Sequence, residues 1–154
     1  MTRTALLLAL LGIAGCWPGR CEGAFRWLST PAESSDVDKS KVMAVAPNAI
    51  FVLNADSKAT STSDLVARAK VNDSTFFVAG AAGHVPAEIR AHANDHAHSC
   101  ASAASFTLTP TAPLAKGEYA VVLLLDGAGW PAVFESDVST YEGKRALVRR
   151  YRVD

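Results

Sequence analysis

The stretch Leu114-Ala-Lys-Gly-Glu-Tyr-Ala-Val121, running on through Val-Leu-Leu to Leu125, decides how this chain is read. From Glu118 to Leu125 it is almost continuously apolar, the pattern of a strand with neighbours on both edges at the centre of a sheet. Working outward, period-two alternation appears on both sides. Upstream, Phe106 and Leu108 alternate with Ser105, Thr107 and Thr109. Between Val85 and Ala93 every odd position is apolar, while the even ones are Pro, Glu, Arg and His. Downstream, Ala146 to Val153 forms a basic last strand. Alternation of this kind marks strands with one face buried and one wet.

The earlier part of the chain continues the pattern. Val42–Ala46 and Ala49–Leu53 are apolar runs split by Pro47-Asn48, which predicts a strand broken by a proline kink near a sheet edge. A polar stretch follows, Asn54 to Asp64. Leu65, Ala67, Ala69 and Val71 then alternate with Val66, Arg68 and Lys70, which predicts another half-buried strand, and Phe76–Ala79 one more. β-Branched residues, Gly and Pro interrupt the chain too often for a helix to be expected. About seven strands at short spacing make an all-β protein, a sandwich first and another barrel or sandwich second.

The sandwich expectation is sharpened by Tyr119. In immunoglobulin-type sandwiches a Tyr near the start of strand F turns its hydroxyl onto upstream backbone, two residues before the second Cys of antibody domains. Tyr119 resembles that tyrosine corner, with Val121 at the Cys position and Gly117 admitting a tight approach. The longer stretch Phe106 to Leu123, FTLTPTAPLAKGEYAVVL, together with Pro47-Asn48-Ala49-Ile50, resembles the SbsA-type bacterial Ig-like domain. The likeness covers about half the chain after its leader. It departs from the family in lacking a Phe-Ser-Pro-Val stretch and in carrying the polar loop at Asn54–Asp64. It implies an immunoglobulin-like β-sandwich over residues 42–154.

The first residues read MTRTALLLALLGIAGC. Arg3 precedes an apolar run from Ala5 to Ile13, too short to span a bilayer and suited to a secretory signal. Ile13-Ala14-Gly15-Cys16 resembles the lipobox of bacterial lipoproteins: a branched apolar residue, two small residues, then the thiol that takes the lipid. The resemblance implies a signal peptide at 1–15, lipidation of Cys16, and a location in the cell envelope, on the inner or outer membrane. An ordinary secretory cleavage near Cys16 or Ala24 is the alternative. Residues 16–41 then read as a tether, in which Phe25 to Leu28 is either a first strand or part of the linker.

With Cys16 carrying lipid, Cys21 and Cys100 remain, and export favours their oxidation. The bridge would close a loop of about 80 residues and contribute about 4 kcal/mol in the chain-entropy model. Two unpaired thiols are the alternative.

Formal charge is zero, from 15 basic and 15 acidic residues, which argues against a nucleic-acid partner. The basic cluster Lys144, Arg145, Arg149, Arg150 and Arg152 reads as a solvated edge strand before it reads as a polyanion site. His92, His96 and His98 lie near Asp95 and Cys100 and share a face if the chain stays extended, a possible Zn or Cu site. A hairpin at Asn94-Asp95 would turn His92 away from the other two. Gly80-Ala-Ala-Gly83-His84 lacks the Lys-Ser/Thr of a phosphate loop and reads as a connection. In Asp126-Gly-Ala-Gly-Trp130-Pro131, Trp130 is either an exposed contact for a partner or a ring folded back to cap the core. No nucleophile elbow or poised pair of catalytic groups is visible. The expected function is therefore a non-catalytic, cofactor-free envelope lipoprotein that binds, adheres or supports, with an envelope protein or polysaccharide as partner. A metal-binding lipoprotein using His92, His96 and His98 is the alternative.

Overall fold

The computed structural model describes residues 23–31, 38, 40–57, 61–93 and 104–154. Among the described residues ten strands form two packed sheets, with one α-helix between β3 and β4. One sheet runs in the order β1 (Ala24–Ser29), β3 (Phe51–Asp56), β7 (Ala104–Pro110), β6 (Ala87–Ala93), all antiparallel. The other runs β2 (Met43–Ala44), β10 (Lys144–Val153), β8 (Gly117–Leu124), β4 (Phe76–Gly80), β5 (Gly83–Val85), with β9 (Val138–Tyr141) also on β10. Leaving aside the short β2, β5 and β9, seven strands remain, ordered β1-β3-β7-β6 and β10-β8-β4. That is the immunoglobulin arrangement of strands A-B-E-D against G-F-C.

Period-two burial builds the core. Phe51 and Leu53 of β3 and Phe106 and Leu108 of β7 face Phe76, Val78, Val121, Leu123, Leu147 and Tyr151 from the other sheet. The Phe51 and Tyr151 rings meet between the sheets with centroids 4.9 Å apart.

Proline marks the crossings from β2 to β3 and from β5 to β6, two of the five places where the chain changes sheet. β2 lies parallel to β10, Val45 N–H donates to Arg152 O at 2.8 Å, and the turn at Pro47-Asn48 then sends the chain into β3 of the other sheet. The alternating run from Val85 to Ala93 is likewise two strands. β5 pairs with β4, Pro86 interrupts, and β6 pairs with β7. Pro86 has no N–H for a ladder, but its carbonyl is bound by the N–H of Thr111 at 3.0 Å. The Tyr119 hydroxyl donates to the carbonyl of Ala115 at 2.8 Å, tying the start of β8 to the loop before it.

Three expectations need correction. The segment around Leu65 is not a strand but the helix α1 (Thr62–Ala69). Leu65 and Ala69, one turn apart, are buried while Ala67 is exposed, so the inward face has helical spacing. The Ser61 hydroxyl caps the Asp64 N–H at 3.2 Å, Asp64 pairs with Arg68 at 3.6 Å, and Lys70 ends the helix in the left-handed region at φ 52°. Second, the domain begins before residue 42. Phe25–Leu28 belongs to β1, because its backbone pairs with β3 and its Phe25 and Leu28 side chains enter the core. Third, the basic strand β10 is not an edge. β8 covers one side along its length, and β9 and β2 cover the two ends of the other. Its charges are partly neutralised: Arg145 pairs with Glu135, Arg152 with Asp154, and Arg149, only 4% exposed, donates to the Asp38 carbonyl.

The loop after β8 plugs one end of the sandwich. Gly129 N–H donates to Ala69 O at 2.8 Å, and a Cβ at Gly129 would stand 2.0 Å from the Arg68 carbonyl oxygen. Only glycine permits that approach to the helix end. We predict that Gly129→Ala lowers unfolding stability by about 2 kcal/mol or more through strain at this contact, while Tyr119→Phe costs about 1 kcal/mol for one lost hydrogen bond. Urea denaturation of the two variants checks both values.

Candidate functional site

The two outer faces of the sandwich differ in chemistry. On the β1-β3-β7-β6 sheet, outward positions are mostly polar, Asn54, Glu88, Arg90, His92, Ser105 and Thr107, with Val52 and Trp27 among them. Arg90 bonds Glu88 at 2.9 Å, which holds that carboxyl below the usual carboxylate range and raises the guanidinium in return. On the other sheet the outward positions are apolar toward one end and charged toward the other, where Glu118, Arg150 and Arg152 are exposed. Phe77, Ala79, Val122 and Ala146 form a second cluster, separate from the core, with Ala120, Leu124, Tyr141 and Val148 half-buried around it. Val122 is fully buried although it faces away from the core, because longer neighbours lean over it.

Aromatic contacts organise one end of this face. The His84 ring stacks on Phe77 with centroids 4.0 Å apart, and Tyr141 meets Phe77 edge-on at 5.7 Å. The stacking follows from register: His84 pairs with Ala79 across the β4–β5 hairpin and so stands on the same outward face as Phe77. Tyr141 is placed by the β9–β10 hairpin, whose two-residue turn Glu142-Gly143 has both φ angles positive, 50° and 77°. Such turns follow the natural twist of paired strands and hold their flanking residues in fixed register. Between the two hairpins lies a hollow of about 340 Å³ lined by Phe77, Leu124, His84 and Tyr141, with Asp73, Ser74, Glu142 and Lys144 around it.

In sequence Gly80–His84 reads as a loop, and only the pairing of β5 with β4 puts His84 beside Phe77. Trp130 is not an exposed partner contact: it is 6% exposed and packs on Phe25 at 5.5 Å, because Gly129 turns the chain inward and Gly23 lies against the ring. His92 is exposed and within 3.2 Å of the Thr107 hydroxyl. Cys16, Cys21, Cys100, His96 and His98 lie outside the described residues. Among the described residues no group of three or more His, Cys, Asp or Glu is placed to hold a metal ion, and no helix is long and apolar enough to cross a membrane.

Comparison with family models, with curated proteins and with solved structures found no significant match.

The outer cluster should contribute stability unequally. Phe77→Ala removes a buried ring and is expected to cost about 3 kcal/mol, whereas His84→Ala at the exposed position should change stability by about 0.5 kcal/mol or less. Thermal melts of both variants separate a packing residue from one available for binding.

Proposed function

We propose that this chain is an exported lipoprotein, anchored through lipid on Cys16, whose immunoglobulin-like sandwich is a non-catalytic recognition module of the bacterial envelope. The observation that supports it most is the asymmetry of the faces: one outer sheet surface is mostly polar, while one end of the other carries an apolar, aromatic cluster beside exposed Glu118, Arg150 and Arg152. Antiparallel sheets that expose a face to water normally make it polar, and an apolar patch with a polar rim marks a contact surface. The N-terminal sequence supports the address, through the lipobox resemblance at Ile13–Cys16.

In this reading the partner docks on Leu124, Val148 and Tyr141, the three largest of the half-buried side chains around the outward cluster. Introducing charge there should abolish docking without unfolding the domain.

The test has two arms. Cys16→Ser should move the protein from the membrane to the soluble fraction, and mass spectrometry of the wild-type N-terminus should find a diacylglyceryl thioether. An unmodified Cys16 would remove the anchor from the proposal. Leu124→Asp with Val148→Asp should reduce capture of envelope material by the purified protein at least about tenfold. Equal capture by wild type and this variant at unchanged melting temperature would rule out this face.

A further inference from the structure

We infer that the hollow between the β4–β5 and β9–β10 hairpins is a binding site for a neutral saccharide ring. The inference rests on the recognition-module reading and names the ligand class of that same face. Its first support is the composition of the floor. Phe77 and Leu124 form an apolar base flanked by the rings of His84 and Tyr141. The His84 ring already covers Phe77 at 4.0 Å, so the apolar axial C–H face of a pyranose would lie against the His84 or Tyr141 ring, burying surface as two aromatic rings do when stacked.

The second support is the rim. Asp73 and Glu142 bring carboxylates, Lys144 an ammonium, Ser74 a hydroxyl, and His84 and Tyr141 further polar atoms. Among the described residues none of these six side chains is engaged in a hydrogen bond or ion pair. A sugar presents hydroxyls around its edge, each both donor and acceptor, so it needs acceptors and donors together around an apolar floor. The rim supplies both. An anion would face two carboxylates, a cation would face Lys144, and a purely apolar ligand would strip water from charged groups without replacing it.

The third support is rigidity. Asp73 and Ser74 sit in a turn held by Ser74 N–H on the Asn72 side-chain oxygen at 2.9 Å and by Phe76 N–H on the Asn72 carbonyl at 2.7 Å. Glu142 sits in the two-residue hairpin turn, and Lys144 follows it as the first residue of β10. The backbone of both rims is set before a ligand arrives, which lowers the ordering cost of binding. A volume of about 340 Å³ is at the small end for ligand sites and suits one or two sugar rings.

The test uses the mature full-length protein in detergent on an array of bacterial and plant glycans, followed by calorimetry with chitotriose, maltotriose and the best array ligand. The expected result is retention of at least one neutral glycan, with a dissociation constant of about 0.1–1 mM for a trisaccharide. Tyr141→Ala and Asp73→Asn should each weaken it at least about tenfold while His92→Ala leaves it unchanged. Asp73 is exposed and lies outside the regular strands, so its variant tests the site without loss of fold. Absence of glycan retention, or retention indifferent to both hollow variants, overturns the inference. If Leu124→Asp with Val148→Asp abolishes capture of an envelope protein while no glycan binds, the recognition-module reading stands and the saccharide does not.

Discussion

The contact of Phe51 with Tyr151, centroids 4.9 Å apart, sits where the two sheets exclude water from one another. Phe51 comes from a central strand of one sheet and Tyr151 from the strand flanking β8 in the other, so their burial holds β3 over β10. Around them Phe25, Phe76 and Phe106 are fully buried, and each stands on an inward position of its strand. Everything that positions the candidate site follows from this layer. Once the inward rows are committed to the core, the outward positions of β4, β8 and β10 are determined, and with them Phe77, Leu124 and Val148.

The ends of the sandwich are closed by less regular means. Helix α1 packs beside β6, the Gly129 turn satisfies the carbonyl of Ala69 at the end of the helix, and Trp130 fills the space against Phe25. Backbone pairing extends this plug to the first strand: Phe25 N–H donates to the Pro131 carbonyl and Val133 N–H to that of Phe25. The N-terminal strand is thus held by β3 on one side and by this connection on the other. Gly23, the first described residue, lies against the Trp130 ring.

Much of the architecture was legible because period-two burial is a local property of a strand. Val85–Ala93, Phe106–Thr109 and Glu118–Leu125 are strands for the reason their side chains alternate or run apolar throughout. Tyr119 was legible too, since its hydroxyl needs a partner close in sequence and finds it four residues back. The misreading at Leu65–Val71 has an equally local cause. Residues at 65 and 69 satisfy both a period of two and a helical turn, and Ala67 is small enough to sit on either face. Ser61 and Asp64 carried the deciding signal, a cap at the start of a helix. The candidate site was less legible. His84 and Tyr141 are separated by dozens of residues and meet Phe77 only because β5 and β9 are hairpin partners at different edges of one sheet.

By itself the amino-acid pattern determined the strand-rich character, the inward faces of most strands and the corner at Tyr119. These depend on spacing within a few residues. Tertiary structure alone decided which strands are neighbours, that β10 is interior, that Trp130 is core, and that an aromatic hollow forms between two hairpins. Those outcomes depend on register between segments distant along the chain, and hydrophobic burial selects that register only when both sheets close together.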